Sequence, residues 1–266
     1  MTAADVLWLD PDTVQLRQPK SSHWEAPFLF LLFGRDRAIL FDTGATRDER
    51  VFPLRGTVDH LIETWLRKHP ARVSRPYELV VAHTHAHGDH IAGDALLAAR
   101  QGAVVVGTTP AEVIAFFGFP SWPDAVVPFD LGGRVIDVIG APGHEPSAVV
   151  FYDAVTRILF TGDTVCPGNL YVRDRAQFAQ TIDRLIRFRD ATKPRIKHVL
   201  GAHVEMSKKP GVDYPPGTVD QPDEAPLALP PSILDEVREA LTVVDKHGRP
   251  KRRVVRDRFI VVDDPR

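Results

Sequence analysis

The stretch "AHTHAHGDHIAG", residues 82–93, places four histidines and one aspartate within a dozen positions. Such a density is out of place in a solvated loop and costly in a core, where every buried ring nitrogen needs a partner. It continues the run "YELVV", and "YELVVAHTH" predicts a strand over 77–85 that runs into the cluster. On an extended strand, residues two apart point to the same side, so His85 and His87 converge on one point. The chain then turns, and the adjacent Asp89 and His90 are aimed at a neighbouring point. The result is two incomplete metal sites. Neutral imidazole and carboxylate suit Zn²⁺ well and Fe or Mn²⁺ acceptably.

Three further donors stand where other strand-like runs end. His144 closes "VIGAPGH", Asp163 closes "RILFTGD" and His203 closes "HVLGAH". Layered α/β folds present functional residues in the loops at strand ends. One cation would then take His85, His87 and His144, and the other Asp89, His90 and His203. Asp163, with two oxygens, is the natural bridge between them. A water held by two such cations is acidified to hydroxide near neutral pH, and one cation polarises a substrate oxygen. Asp89 is the candidate catalytic side chain, orienting the hydroxide and relaying a proton. No serine or cysteine nucleophile is required, and no "GxSxG" elbow competes for the role.

The rest of the chain supplies a scaffold of matching type. "PFLFLLF" and "RAILFDTG", separated by "GRDR", predict a β-hairpin. In "TVDHLIETWLRKHP", Val58, Leu61, Ile62, Trp65 and Leu66 fall at helical spacing, with Pro70 as the stop. A short helix in "AGDALLAARQG" and a buried strand in "AVVVG" follow the histidine cluster. Thr109 and Pro110 open the helix "TTPAEVIAFFG" as N-cap and first helical residue. In the second half, "GRVIDVIGAPGH", "SAVVFYD" and "RILFTGD" read as strands, and "RAQFAQTIDRLIRF" aligns Phe178, Ile182, Leu185 and Ile186 on one helical face. "RIKHVLGAH" is another strand. Ser232 and Asp235 resemble a capping box at the start of "PSILDEVREAL", and "FIVV" near the end is β-like. Strands followed by helices in both halves predict an α/β or α+β layered domain.

Bulk properties narrow the function classes. A chain of 266 residues with 44% hydrophobic and 26% charged residues is long enough to bury a proper core. A formal charge of −2 gives no electrostatic reason for nucleic acid or an anionic membrane as a partner. The one cysteine, Cys166, excludes an intrachain disulfide. The start "MTAADVLWLDPDTVQL" lacks the pattern of a secretory signal, and no apolar run approaches the roughly 20 residues that span a bilayer. The expectation is a cytoplasmic protein with a small-molecule substrate, as a monomer or homo-oligomer.

"THAHGDHIAG", "PGHEPSAVVFYD", "LFTGDTV" and "GAH", in that order and preceded by "ILFDTG", resemble the metallo-β-lactamase superfamily. The resemblance implies an αββα four-layer sandwich of two mixed β-sheets flanked by helices, with metals at one edge. It implies one such domain over 1–266, with a metal-binding core at about 27–203 and a C-terminal helix and strand over 232–266. The seven residues His85, His87, Asp89, His90, His144, Asp163 and His203 match the superfamily's ligand positions, and two Zn²⁺ per chain are the implied cofactors. β-Lactam-hydrolysing members usually lack an aspartate at the bridging position, so Asp163 points to the branch resembling glyoxalase II, lactonases and phosphodiesterases. A hydrolase of ester-like bonds, thioester or lactone ahead of phosphodiester, is the leading expectation. Persulfide dioxygenases, similar in scaffold, hold one iron at the equivalents of His85, His144 and Asp163, and form one alternative; a phosphodiesterase or β-lactamase on the same fold is the other.

Several residues stand beside the motif. His83 is one strand step further into the sheet than His85 and reads as a hydrogen-bonded support, not a ligand. "FDTG" at 41–44 resembles an aspartic protease motif, but that chemistry requires a second such aspartate, and Asp42 reads instead as a support for the histidine loop. Cys166 reads as a small packed residue. Lys208 and Lys209, just past His203, are weak candidates for holding an anionic substrate. The superfamily's usual "GHTPGS" is "GHEPSA" here, and glutathione-binding signatures are not recognisable after His203. In their place, the Pro-rich segment 210–231 is expected to cover the metal cleft or to contact another subunit.

Overall fold

The computed structural model describes residues 4–70 and 76–264. The hairpin expected around "GRDR" forms from β3 (Phe28–Phe33) and β4 (Arg37–Phe41), paired antiparallel. It lies inside a six-stranded sheet with β1 (Asp5–Asp10), β2 (Thr13–Arg17), β5 (Glu78–Ala82) and β6 (Ala103–Val105), in sequence order across the sheet. β4, β5 and β6 run parallel and the other neighbours antiparallel, so the sheet is mixed. The second six-stranded sheet is built from β7 (Val126–Asp130), β8 (Val135–Gly140), β9 (Val149–Asp153), β10 (Ile158–Gly162), β12 (His198–Gly201) and β13 (Ala228–Leu229). Its order is β13-β12-β10-β9-β8-β7, with β10 and β12 parallel. A small third sheet joins β11 (Asn169–Val172), β14 (Arg253–Val255) and β15 (Ile260–Asp263).

The wholly buried "FLFLLF" of β3 shows how the layers are made. Phe28, Phe30 and Leu32 face the second sheet, where Phe41 stacks on Phe151 at 4.1 Å. Leu29, Leu31 and Phe33 face the other way, under helix α1 (Leu54–Lys68). Strand alternation thus feeds two cores from one strand. α1 answers with Val58, Leu61, Ile62 and Trp65, the stripe read from its 3.6-residue period. On the far side of the second sheet, α5 (Arg175–Ala191) and α6 (Ile233–Ala240) cover Val150, Leu159 and Val199 with Phe178, Ile182, Leu185 and Ile233. The four layers are helix, sheet, sheet and helix, the expected αββα sandwich.

Some local expectations are corrected. "AVVVG" is not a buried strand. β6 is the sheet's edge, with no strand beyond it among the described residues, and Val104 is 40% exposed. Ser232 makes no side-chain cap and has helical backbone angles, so α6 lacks the capping box. The box that does form is at α4 (Pro110–Phe117), where Thr109 and Glu112 exchange side-chain-to-backbone bonds. The strand "YELVVAHTH" ends at Ala82. The reason is that the Thr84 N–H donates to Asp42 Oδ1 (2.7 Å) while the Thr84 carbonyl accepts from the Val149 N–H of the second sheet (2.9 Å). The chain therefore leaves the first sheet and crosses to the second at Thr84, before His85, His87 and His90 are reached.

Candidate metal centre

The proposed ligands come together because three strands point the same way. β8, β10 and β12 run in one direction, so the loops carrying His144, Asp163 and His203 open at one end of the second sheet. β4 and β5, parallel in the first sheet, deliver Asp42 and the histidine loop to the same end. His87 is the residue before the short helix α2 (Gly88–Ile91), which carries Asp89 and His90. His85 and His87 do converge, but through this loop-to-helix turn and not through strand alternation. Gly162 is needed at the junction: its φ is +52°, and a Cβ would stand 2.5 Å from that of Thr84.

Two donor clusters result. In one, His85 Nε2 lies 2.9 Å from His87 Nδ1, and His144 Nε2 lies 3.3 and 3.2 Å from those two atoms. In the other, His90 Nε2 and His203 Nε2 are 3.2 Å apart, and Asp89 Oδ2 is 3.2 and 3.1 Å from them. Asp163 divides its oxygens between the clusters. Oδ2 lies 3.8 and 3.7 Å from His85 and His144, and Oδ1 lies 3.4 and 3.3 Å from His90 and His203.

This donor set fits a pair of cations. Nitrogens bound tetrahedrally to zinc stand roughly 3.3 Å from each other, given metal–nitrogen bonds of about 2 Å. Several outer nitrogens are already engaged: His144 Nδ1 donates to the Tyr171 carbonyl (2.7 Å) and His203 Nδ1 to that of Glu25 (3.1 Å). His90 Nδ1 donates to Asp42 Oδ2 (2.9 Å). Such outer partners fix the tautomer and turn the Nε2 lone pairs inward. Asp163 Oδ1 is buried without a hydrogen-bond partner, an atom that requires a positive neighbour.

Electrostatics agree. Burial pushes the His85 imidazole well below its ordinary value; burial and His144 bring His87 down to about 4, so both are neutral donors. Burial would lower His90 and His203 as well, but carboxylates outweigh it. Asp42, Asp89 and Asp163 hold His90 well up, and Asp163 and Asp89 raise His203 to about 9. Burial would raise Asp89 and Asp163; the facing histidines instead hold both below the carboxylate range. The second cluster, with Asp42 behind it, carries a surplus of negative charge that a cation balances.

His83 belongs to neither cluster. Its Nε2 bonds Asp94 Oδ1 (2.8 Å), which also accepts from the Thr43 hydroxyl (2.7 Å). Asp42 accepts from the Thr84 N–H and hydroxyl as well as from His90. Cys166 is buried at the wall of the cleft, its thiol pushed well up by burial and by Asp163.

Lys208 and Lys209 do not line the cleft. Both are exposed, and Lys208 faces Asp223 at 4.0 Å. The cleft, about 260 Å³, is walled by residues the sequence reading passed over, among them Trp24, Glu25, Tyr171, Arg173 and Glu205. Burial and Asp89 raise the Glu25 carboxyl to about 7. The apolar "NLYV" ended by "RDR", shortly after Asp163, was the available signal for Tyr171 and Arg173. Nothing local marks Trp24 or Glu205.

Nor does the segment 210–231 cover the cleft, since none of its residues lines it. It backs the wall from outside: Asp213 accepts from Asn169 Nδ2 (3.2 Å), and the Tyr214 N–H donates to the Glu205 carbonyl (2.7 Å). Glu224 pins it to the first sheet through two bonds from Arg17 (2.7 and 2.5 Å). In "GHEPSA", Glu145 closes a local turn by accepting from the Ser147 N–H and hydroxyl.

Comparison with known proteins adds to this geometry. Residues 24–244 match the family described as the metallo-beta-lactamase superfamily. A hydroxyacylglutathione hydrolase of Rhizobium meliloti (strain 1021) is 29% identical over 133 residues, 48% of this chain and 52% of that protein. One from Pseudomonas savastanoi pv. phaseolicola (strain 1448A / Race 6) is 34% identical over 137 residues, 48% of this chain and 49% of that protein. The chain thus spans about half the length of these curated relatives. Among solved structures, a metallo-beta-lactamase from Pontibacter korlensis superposes with a TM-score of 0.55 at 20% identity, covering 89% of this chain and 97% of that one. At that identity the likeness speaks for the fold alone.

Proposed function

This chain belongs to the metallo-beta-lactamase superfamily, and from that premise we propose that it is a di-zinc hydrolase of small thioesters. The observation that carries the reading is the pair of complete donor clusters sharing Asp163. Thioester ranks ahead of lactone because the relatives' name, hydroxyacylglutathione hydrolase, describes cleavage of an acyl group from a thiol. When bound, two zinc ions would lower the pKa of a water and draw charge onto the thioester oxygen.

The chain's own groups do the rest. His85, His87 and His144 would hold one cation through their inward nitrogens, and Asp163 offers one oxygen to each cluster. Asp89 uses Oδ2 against His90 and His203, which leaves Oδ1 to accept a proton from the attacking water. Arg173, at the cleft wall, is placed to pair with an anionic part of the substrate. Trp24 offers an apolar face on the same cleft.

The test is the metal content of protein purified without chelator, followed by a panel of thioesters, lactones and phosphodiesters. About two zincs per chain, with thioester turnover lost to EDTA and restored by zinc, supports the reading. One iron per chain with oxygen uptake in the presence of persulfide overturns it in favour of an oxidoreductase.

A further inference from the structure

A cavity larger than the metal cleft lies elsewhere among the described residues. A groove of about 630 Å³ opens along the side where the two sheets fail to close on each other. One wall is β1, with Leu7 and Leu9. The other is the start of β10 and the β12–β13 edge, with Ile158, Leu200 and Leu227. Leu7 is 53% exposed, whereas Ile158 and Leu200 belong to the core between the sheets. Leu9 and Leu227 pack against that same core. The inter-sheet core therefore runs out to the surface here, and a volume in the range of ordinary ligand sites is left with an apolar floor.

One rim of this groove carries the cation Lys197, and His198 lines it as well. Burial, Lys197 and the nearby Arg157 lower the His198 imidazole, so this ring offers a neutral N–H and not a charge. Asp10, on the other rim, is turned to its own loop, where it accepts from the Asp12 N–H (2.7 Å). The groove thus pairs an apolar trough with a positive end.

We propose that this groove binds an amphipathic anion: an unbranched apolar chain laid on Leu9, Leu200 and Leu227, with a carboxylate held at Lys197 and His198. The site is separate from the metal centre and does not depend on the hydrolase reading. The chain extends the core between the sheets and removes apolar surface from water. The charge on the rim selects the head group and orients it.

The experiment is calorimetric titration of the full chain with dodecanoate, dodecyltrimethylammonium and butanoate, with sedimentation to establish the oligomeric state. Saturable one-to-one binding of dodecanoate alone is expected. Lys197→Glu should weaken it about tenfold, the loss of one charge-assisted contact, and Leu7→Glu, at an exposed position, should weaken it while the melting temperature holds. Binding of the cationic amphiphile as tightly as of dodecanoate would overturn the proposal, as would binding untouched by both substitutions or no binding at all. A dimer that Leu7→Glu converts to monomer would assign the groove to a second copy of the chain and overturn it too.

Discussion

His90 Nδ1 lies 2.9 Å from Oδ2 of Asp42, a residue 48 positions earlier in the chain and held in the left-handed backbone region at φ 66°. The same carboxylate accepts from the Thr84 N–H and hydroxyl, and that hydroxyl also contacts His85 Nδ1 at 3.1 Å. One side chain outside the donor set thus orients a histidine in each cluster. Asp42→Asn keeps a residue that tolerates the left-handed region but removes the charge. It should weaken zinc binding about 10–100-fold, as loss of an outer partner does. Competition against a chromophoric chelator measures this, and unchanged affinity would refute the role.

Asp163 faces both clusters, so its loss should not be confined to one. Asp163→Ala should lower zinc from about two per chain and abolish thioester turnover together. Full turnover at full zinc content would show that the two clusters do not share this carboxylate.

His83 tests the boundary of the donor set. Its bond to Asp94 is structural, and His83→Ala removes a buried ring together with its bond to the half-buried Asp94, which keeps its bond from Thr43. A loss of about 1 kcal/mol or more is expected in urea denaturation, from the lost hydrogen bond and the space left by the ring. Zinc per chain should equal that of the wild type; a missing equivalent would place His83 among the ligands.

At the opposite end of the strands, Arg134 grips Asp153 with two bonds (3.1 and 2.6 Å) and reaches the carbonyls of Asp12 and Phe33 in the other sheet. Burial alone would raise the Asp153 carboxyl, but Arg134 holds it below its ordinary value. A depressed folded-state pKa contributes stability that is present above the unfolded value and is lost as pH falls through the folded one. Asp153→Asn should cost about 3–5 kcal/mol at neutral pH by leaving the guanidinium buried and unpaired. It should also flatten the decline in stability below the unfolded carboxylate value of about 3.9. Denaturation curves across that range check both, and an unaltered acid limb would remove Asp153 from the account.

How much of this was readable in the chain depends on the range over which each feature is encoded. Helix α1 and the stripe of α5 follow from side-chain periodicity, and the hairpin of β3 and β4 from two apolar runs with a turn between them. The grouping of His85, His87 and His144, and of Asp89, His90 and His203 around Asp163, follows from side-chain type and strand-end placement. Each of these is a property of a few consecutive residues.

Other features were not local. Whether "AVVV" is central or at an edge depends on what lies beyond it, and no residue in the run encodes an absent neighbour. The turn that brings His87 to His85 is set by Thr84 bonding to Asp42 on one side and Val149 on the other, partners far away in sequence. Trp24, Tyr171, Arg173 and Glu205 meet at one cleft because the two sheets face each other and three strands of the second open toward the same end. The segment 210–231, Pro-rich enough to resemble a lid, lies behind the cleft because Arg17, Asn169 and Glu205 supply its contacts. Side-chain chemistry along the chain specified which donor groups come together. The closure of long loops, which local pattern does not encode, decided what surrounds them.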